Sequence, residues 1–427
     1  MKKALILGSD YGTIDMAREA KKMGVYVITS DLMDTSPTKE MSDEAWQIST
    51  TDIDLLEAKC REQNVTAIMV GASDFNIHCA RKLCKRLGLP IYCESDLAWK
   101  VATDKSKFKE ICKQVGAPIA EDIDFSEDMS DEELAKIKFP VVVKPVDKSG
   151  NRGMSYCYNI QQLREAYRYA KSVSENSTIL VERQLHGPEW TVNYIMADGE
   201  IQLFSFLREH HQPGELANLY SLMNSSAGHQ KQYIEETNDK VIEVLKAAGF
   251  KEGLAWVEVM LDDDGHFYLI ESGYRYGGDM IYTPYEHVCG FNSIKWMVEI
   301  SLGIEHKKED LPQPLNNTFI GTGASYYLFA TKDDMIDRII GLEEVAEIDG
   351  VTIDMPKRIG AQARYHAAMG TIRIFGKTCD ELIEKMKRIN AALQILNKDG
   401  EDLILHFDDY DAVKRDFELG FTQYGEQ

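Results

Sequence analysis

Short apolar runs alternate with amphipathic segments through the first hundred residues. Residues 3–8 (KALILG) and 25–29 are apolar, and residues 16–23 between them have a helical composition, which predicts a strand, a helix and a second strand. The alternation continues with predicted helices over residues 52–63 and 75–87 and predicted strands over residues 67–70 and 89–92. Because strands that alternate with helices form parallel sheets, residues 1–100 are predicted to be a parallel α/β domain.

The pattern changes after residue 100. A lysine-rich helix is predicted over residues 104–115, closed by Gly116, and the strands beyond it are joined by glycine-containing turns. The predicted strands cover residues 139–144, 154–158, 178–182, 190–196, 201–207, 254–261 and 266–271. This pattern predicts an α+β region over residues 101–310.

A proline-containing stretch at residues 311–314 (LPQP) predicts a linker. Residues 318–427 beyond it combine predicted strands over 324–329, 371–375 and 402–406 with a helix that starts near Thr378. Thr378 suits an N-cap position, and two acidic residues follow in the first turn. A chain of 427 residues exceeds the size of a single core, so we predict three domains, the last one small and of mixed α+β structure.

Composition and charge narrow the range of partners. The net charge of −22 and the pI near 4.9 oppose attraction to phosphate backbones or anionic lipid, so neither nucleic acid nor a membrane is an expected partner. The N-terminal apolar run is too short for a signal sequence and no apolar stretch of about 18 residues follows, which predicts a cytoplasmic protein. Eight cysteines without a C-x-x-C pair argue against a disulfide scaffold or a zinc site.

A strand followed by a glycine-containing loop is the first candidate for chemistry. Residues 139–153 (FPVVVKPVDKSGNRG) place Lys144 at the end of a β-branched strand, directly before a loop that contains Ser149, Gly150 and Gly153. The backbone N–H groups of such a loop can surround phosphate oxygens while the lysine adds a positive charge. The alternative is an ordinary hairpin turn with solvated basic side chains.

The segment 179–189 (ILVERQLHGPE) is the second candidate. An apolar strand ends at Glu182, and a short connector through Leu185 leads to Glu189. A purine requires an apolar slot with one backbone donor and one acceptor, and its ribose favours a carboxylate. An ordinary strand end with exposed acidic side chains is the alternative.

A predicted hairpin over residues 254–272 is the most informative segment. Asp264-Gly265 is a preferred dipeptide for a two-residue hairpin loop, and such a loop places Glu258 directly opposite Glu271. The same register puts the apolar side chains of Trp256, Met260 and Leu269 on that face.

Two carboxylates facing each other repel unless one is protonated or a cation lies between them, and oxygen ligands suit Mg²⁺ or Mn²⁺. A turn displaced by one residue would put Glu258 and Glu271 on opposite faces. Two solvated acids on an exposed hairpin are the alternative interpretation.

The order of these segments resembles the ATP-grasp superfamily over roughly residues 1–310. The resemblance implies a pre-ATP-grasp domain at residues 1–100 and a nucleotide-binding region at 101–310, with a small lid subdomain at about 119–185. The residues that it implies for ATP are Lys105 at the α-phosphate, Lys144 at phosphate and adenine, Ser149, Gly150 and Gly153 in the closing loop, Leu185 and Glu182 beside adenine, and Glu189 at the ribose. It further implies Glu258 and Glu271 as metal ligands and Arg275 as the catalytic residue that binds the γ-phosphate or acyl phosphate.

One departure from the family pattern lies at residue 273. The usual Glu-x-Asn-x-Arg motif is Glu271-Ser-Gly273-Tyr-Arg275 here, so the asparagine that helps to hold a second metal ion is a glycine. This departure motivates a noncatalytic ATP-binding sensor as one alternative function. An NAD(P)-linked oxidoreductase is another, because Gly8 and Gly12 follow the first strand, although G-x-x-x-G is not the dinucleotide-binding spacing.

Two further residues, His210 and His211, follow the predicted strand at 201–207. Adjacent side chains on an extended segment point in opposite directions, so the two imidazoles are not expected to bind one ion. The neighbouring Arg208 suits either a contact with an anionic substrate or an ordinary surface position.

The function implied by the resemblance is a carboxylate–amine ligase, similar also to carbamoyl phosphate synthase. Such an enzyme uses ATP and Mg²⁺ (or Mn²⁺) to activate a small carboxylate as an acyl phosphate, which an amine then captures with release of ADP and phosphate. The expected partners are therefore a small-molecule carboxylate and an amine, and a homodimer is compatible with the pattern. The sequence identifies neither substrate.

Overall fold

The N-terminal part of the chain is a four-stranded sheet between helices, in a computed structural model that describes residues 2–10, 12–148, 152–211, 220–225, 228–313, 322–355, 357–365 and 367–424. Its elements are β1 (Lys3–Leu7), α1 (Thr13–Lys22), β2 (Tyr26–Ser30), α2 (Pro37–Met41), β3 (Glu44–Trp46), α3 (Ile53–Gln63), β4 (Ala67–Val70) and α4 (Asp74–Leu87). The order is β3-β2-β1-β4, and the neighbouring strands are parallel. The predicted parallel α/β fold is confirmed.

The prediction of a strand at residues 89–92 is wrong. These residues carry no strand assignment, and Pro90 cannot donate to a ladder, so β4 remains at the edge of the sheet. The opposite edge is formed by β3, which was not predicted because three residues are too few to show a period. Helix α4 starts where the side chain of Ser73 accepts a hydrogen bond from Asn76 and ends at Gly88 in a left-handed conformation.

Two helices, α5 (Asp96–Thr103) and α6 (Lys105–Val115), then pack against the same core as the N-terminal part. A smaller unit with its own apolar core follows, and its elements are α7 (Asp131–Leu134), β5 (Val141–Pro145), β6 (Ser155–Cys157), α8 (Ile160–Val173) and β7 (Ile179–Arg183). The three strands form an antiparallel sheet in the order β6-β5-β7. Leu163 and Ala170 of α8 pack against Val141 and Val143 of β5 in a core separate from that of the N-terminal part.

The central part of the chain contributes five strands and several helices. Its elements are β8 (Glu189–Ala197), β9 (Glu200–His211), β10 (Tyr220–Ser225), α9 (Gln230–Tyr233), a π-helical turn (Ile234–Asn238), α10 (Asp239–Ala248), β11 (Gly253–Leu261), β12 (Phe267–Gly273), α11 (Tyr282–Cys289), α12 (Ser293–Ser301) and a 3₁₀ turn (Lys308–Asp310). The C-terminal part contains β13 (Thr322–Phe329), β14 (Asp334–Met335), β15 (Arg338–Ile340), α13 (Leu342–Ala346), β16 (Val351–Asp354), β17 (Gln362–Ala363), β18 (Ala368–Gly376), α14 (Cys379–Ala392), β19 (Gln394–Leu396) and α15 (Tyr410–Tyr424).

One antiparallel sheet of eight strands joins these two parts. Its order is β12-β11-β8-β9-β10-β13-β18-β16. Strand β10 of the central part pairs directly with β13 of the C-terminal part, although other elements lie between them in sequence. The linker predicted at residues 311–314 thus leads into a strand of the same sheet; its last residue, Pro314, lies outside the described residues. The first core cluster lies under β8, β9 and β11, and a second one lies under β13 and β18.

The predictions for the C-terminal part are correct for the strands at residues 324–329 and 371–375, which lie within β13 and β18, and for one helix, and they are wrong for one strand. Helix α14 begins after Thr378, whose side chain accepts a hydrogen bond from the N–H of Glu381, as the N-cap pattern predicts. Residues 402–406 do not form a strand; Asp402 and Ile404 make only isolated bridges. The side chain of Asp402 there accepts hydrogen bonds from backbone N–H groups, which competes with ladder formation. None of the described helices is long and apolar enough to cross a membrane.

The β11–β12 hairpin departs from its predicted turn and still preserves the predicted pair. The N–H of Asp262 donates to the carbonyl of His266, so the loop has three residues and ends at Gly265, whose φ is 81°. The ladder next to this turn is therefore displaced by one residue, and Leu269 lies opposite Val259. A β-bulge between Glu258 and Val259 restores the register, so that Glu258 pairs with Glu271.

A buried arginine on β18 connects the C-terminal part to the rest of the chain. Arg373 is only 2% exposed and donates to Asp15 of α1 at 2.9 Å and to Thr283 of α11 at 2.7 Å. A second guanidinium nitrogen lies 2.8 Å from Asp354 of β16. One cation thus compensates two carboxylates from different parts of the chain.

We predict that Arg373→Met destabilises the protein by about 3–5 kcal/mol, because two partly buried carboxylates would lose their counter-charge. The measurement is the urea midpoint of unfolding. Arg358→Met is the matched control, since the Arg358 side chain is 70% exposed and its ion pair with Glu40 is long at 3.4 Å. Equal shifts for the two variants would contradict the structural role of Arg373.

Candidate functional site

A cavity of about 510 Å³ lies between the three-stranded sheet and one face of the eight-stranded sheet. This volume is typical of a pocket for a small organic ligand or cofactor. The polar lining residues include Lys144, Glu182, Glu189, Thr191, Glu209, His211, Glu258, Glu271, Arg275 and Asp279. The apolar lining includes Val142, Met154, Leu185, Trp256, Met260 and Leu269, so one cavity offers both a slot for a flat ring and a charged region.

The two predicted metal ligands, Glu258 and Glu271, face each other across β11 and β12. Burial, and after it the nearby carboxylate of Glu189, raise the pKa of Glu258 to about 7. Glu271 makes an ion pair with the ammonium group of Lys105. Glu258 and Glu271 thus concentrate negative charge in a partly buried region. Their carboxylate oxygens are the type of ligand that a hard divalent cation such as Mg²⁺ prefers.

Lys105 is the first residue of α6, and its helix is capped by Asp104, which accepts a hydrogen bond from the N–H of Lys107. Burial, and after it the ammonium group of Lys144, lower the pKa of Lys105 to about 8. In this structure Lys105 therefore neutralises Glu271, although the sequence predicted it at a phosphate group. Both roles require a position beside Glu271.

Glu182 is held between two lysines. It is 3% exposed, its Oε2 lies 2.6 Å from Nζ of Lys144, and Nζ of Lys109 bonds to its other oxygen. Burial raises the pKa of this carboxyl, but the two ammonium groups together outweigh burial and hold the pKa below its usual range. The site thus contains an ionised carboxylate with fixed geometry beside the apolar lining.

Lys109 is a site residue that the sequence reasoning missed. It is 5% exposed and also donates to the carbonyl of Ala120, so it fixes the start of the small unit as well as Glu182. The signal was present in the sequence, because Lys105 and Lys109 are four residues apart and residues at that spacing share one face of a helix.

The connector after β7 passes along the rim of the cavity. Asp262 accepts hydrogen bonds from the N–H of His186 at 2.8 Å and from Arg183 at 2.6 Å, which anchors the connector to the hairpin. Leu185 lines the cavity, and its N–H donates to no other described residue. A backbone donor beside apolar side chains is what the adenine prediction requires. Glu189, at the start of β8, also lines the cavity.

The predicted phosphate loop is only partly described. Gly153 has a φ of 85°, and a Cβ there would lie 2.6 Å from Val173, so the position requires glycine. Ser149 and Gly150 lie outside the described residues. Their contact with phosphate stays a prediction.

Arg275 lines the charged end of the cavity and is held by a residue from the N-terminal part. Its Nε and Nη2 donate to Asp74 at 2.8 and 3.2 Å, and its guanidinium lies 5.1 Å from the ring centre of Trp256. Asp74 was not predicted as a site residue, because nothing in the sequence shows that α4 starts beside β12. A Cβ on Gly273 would lie 2.3 Å from Trp256, so this position has no space for a metal-binding side chain.

The two residues that motivated a dinucleotide-binding alternative have a different explanation in the structure. Gly8 and Gly12 both have positive φ angles, of 81° and 83°. A Cβ on Gly8 would lie 2.3 Å from Asn76, and one on Gly12 would lie 2.5 Å from Tyr276. The glycines therefore allow the close approach of the chain's own side chains, which occupy the space beside this loop.

Comparison with known proteins identifies the central part of this chain. A family profile described as "ATP-grasp domain" matches residues 137–283. The 2-oxoglutarate carboxylase small subunit of Hydrogenobacter thermophilus is 25% identical over 73% of this chain and 69% of its own length. The alpha subunit of mouse methylcrotonoyl-CoA carboxylase is 26% identical over 79% of this chain, which spans only 51% of that relative.

Solved structures share the fold over nearly the whole chain. The L-amino acid ligase from Bacillus licheniformis superposes with a TM-score of 0.77 at 19% identity, covering 93% of this chain and 99% of the ligase. The biotin carboxylase domain of the Hydrogenobacter thermophilus 2-oxoglutarate carboxylase, a dimer in complex with MgADP and bicarbonate, has a TM-score of 0.73 at 18% identity, covering 96% of this chain and 98% of that one. The profile match shows that residues 137–283 contain an ATP-grasp domain, and the solved structures share the fold over nearly the whole chain.

Proposed function

We propose that this protein is an ATP- and Mg²⁺-dependent ligase that activates a small carboxylate as an acyl phosphate for capture by an amine. The observation that carries the proposal is the arrangement of charges around one cavity. Lys144 and Arg275 line the same space as the facing carboxylates Glu258 and Glu271, and Lys105 contacts Glu271. This arrangement suits a polyphosphate with a divalent cation better than a neutral ligand.

The predicted contacts divide the cavity between the two ends of ATP. We assign adenine to the apolar end, where the N–H of Leu185 and the fixed carboxylate of Glu182 lie. Glu189 would bind the ribose, and Lys105, Lys144 and the loop with Ser149, Gly150 and Gly153 the phosphates. Glu258 and Glu271 would hold the metal ion, which would neutralise charge on the β- and γ-phosphates.

The reaction that we propose has two steps. A carboxylate oxygen of the substrate attacks the γ-phosphorus, the bond from that phosphorus to the bridging oxygen breaks, and ADP leaves. The amine nitrogen then attacks the acyl carbon, phosphate leaves, and the nitrogen loses its proton. Arg275, oriented by Asp74, would stabilise the charge on the transferred phosphoryl group, so the chain contributes positioning and charge and needs no nucleophile.

Among the superfamily members, we place this chain with the carboxylate–amine ligases. The structural likeness to an L-amino acid ligase over almost its whole length supports that choice. The relatives reported above are ligases and carboxylases, so a noncatalytic sensor or an NAD(P)-linked oxidoreductase gains no support. Because the biotin carboxylase structure is described as a dimer, we propose a homodimer for this chain, which light scattering would test.

The first prediction concerns the products. Incubation with ATP, Mg²⁺ and panels of amino acids and small acids should release ADP and phosphate for at least one carboxylate and amine pair, and EDTA should abolish the release. The measurement is chromatography of the nucleotides together with a phosphate assay. Formation of AMP and pyrophosphate would contradict the acyl phosphate route.

The second prediction uses the ion pair of Lys105 with Glu271. Lys105→Met should weaken ATP binding by about tenfold or more, since it removes a charged contact to phosphate. The same variant should bind Mg²⁺ alone more tightly than the wild type, because Glu271 loses its competing ammonium group. Calorimetric titrations measure both affinities, and Lys107→Met, whose side chain pairs with Glu110 one turn further along, is the control. A change of both affinities in the same direction would contradict the assignment.

The third prediction concerns pH and Glu258. A folded-state pKa of about 7, against an ordinary value of 4.5, means that the folded protein binds this proton more tightly than the unfolded chain. The resulting stability is fully present below about pH 4.5 and is lost as the pH rises through about 7. In EDTA, wild-type protein should therefore lose more thermal stability between pH 5.5 and pH 8 than Glu258→Gln does, and the variant should be at least as stable at pH 8.

Turnover of Glu258→Gln with Mg²⁺ and ATP should fall by about a hundredfold or more, the scale of losing one preorganised electrostatic contact. Asp263→Asn, at an exposed residue of the same hairpin, should change neither property. Wild-type turnover in Glu258→Gln would remove the metal assignment.

A further inference from the structure

A second group of ligand-type side chains lies on the part of the sheet that faces the C-terminal strands. Glu189 of β8 is paired with Glu209 of β9, and His211 lies two residues further along β9. Because alternate residues of a strand point to the same face, all three side chains face the cavity. One ligand atom from each residue lies within 4.8 Å of the other two.

These side chains have few partners within the described part of the chain. Glu209 is 3% exposed and accepts one hydrogen bond there, from the hydroxyl of Thr191 at 2.7 Å. Nε2 of His211 is 3.5 Å from Glu189, longer than an ordinary hydrogen bond, and its buried Nδ1 has no hydrogen-bond partner among the described residues. Neither ring nitrogen of the half-buried His211 is thus hydrogen-bonded within the described residues, although two carboxylates lie beside the ring.

The guanidinium of Arg208 offsets only part of the negative charge of the group. Its guanidinium lies 5.0 Å from the ring centre of Trp190, and Arg208 is not among the residues that line the cavity. Burial, followed by the carboxylates of Glu258 and Glu189, raises the pKa of Glu209 well above its usual range. A buried carboxylate in this condition requires either a proton or a cation.

We propose that, in the protein without nucleotide, where Glu189 is not engaged by ribose, Glu189, Glu209 and His211 bind a divalent transition-metal cation at a site distinct from the Glu258–Glu271 pair. Two carboxylate oxygens and one imidazole nitrogen suit Mn²⁺ or Zn²⁺, whereas Mg²⁺ and Ca²⁺ favour oxygen ligands alone. The hydroxyl of Thr191 donates a hydrogen bond to one oxygen of Glu209 and so orients it, as outer hydrogen-bond partners do at metal centres.

The position of this site in the sheet separates it from the predicted magnesium site. The strand order β12-β11-β8-β9 places Glu209 two strands from Glu258, about 10 Å away along the sheet by the usual strand spacing. Gly273, which has no space for a metal-binding side chain, is on β12, whereas Glu209 lies on the other side of Glu258. A second cation in this cavity would thus be held by β8 and β9 and not by the end of β12.

The test uses the full chain with Mn²⁺ alone, without nucleotide. Pulsed electron paramagnetic resonance reports coupling of Mn²⁺ to a directly bound ¹⁴N nucleus, and this signal distinguishes a site with histidine from one with carboxylates only. We expect the coupling in wild-type protein and its loss in His211→Ala. Calorimetry should show Mn²⁺ affinity at this site reduced by at least about tenfold in His211→Ala and Glu209→Gln.

Two controls separate this site from its surroundings. His266→Ala removes an exposed histidine of the hairpin, and Glu271→Gln alters the predicted magnesium site; both should keep the nitrogen coupling. Absence of the coupling in wild-type protein, or its persistence in His211→Ala, would overturn the proposal. Melting curves without metal establish whether each variant folds. If Glu209→Gln does not fold, Glu189→Gln is used in its place. No nucleotide or turnover enters the test, so a failure of the ligase proposal leaves its outcome unaffected.

Discussion

Repulsion among carboxylates that are at least partly buried is the constraint on which the rest of this site depends. Glu189, Glu209, Glu258 and Glu271 all line one cavity, in an environment where charge is poorly screened. The chain compensates part of this charge with Lys105 of α6, Lys144 of β5 and Arg275 after β12. The charges in the cavity therefore balance only when these three segments are packed together.

The long antiparallel sheet explains how such distant residues come together. Six of its eight strands run from β12 to β13, so the hairpin with Glu258 and the C-terminal strands belong to one surface. Two ion pairs then fix the N-terminal part against this surface, Asp74 with Arg275 and Asp15 with Arg373. Side chains from remote segments thereby reach one cavity with defined geometry.

The local parts of this arrangement could be predicted from the sequence, because strand periods, caps and turn residues act over short distances. The parallel N-terminal sheet, the strand carrying Lys144 and the helix after Thr378 follow from such signals. Asp74, Lys109 and Glu209 were not predicted as site residues, since their roles depend on which elements pack together. The strand at 402–406 was mispredicted because the side chain of Asp402 competes for backbone N–H groups that a ladder would use.

The β11–β12 hairpin limits which sequence changes are compatible with the site. A three-residue turn shifts the β11–β12 ladder by one residue, and the β-bulge between Glu258 and Val259 shifts it back. The two irregularities therefore cancel, so that Glu258 pairs with Glu271. Loss of either alone would turn one carboxylate to the opposite face. Insertions and deletions in this hairpin are therefore tolerated only in pairs, and the turn and the bulge should be inherited together among descendants that keep the site.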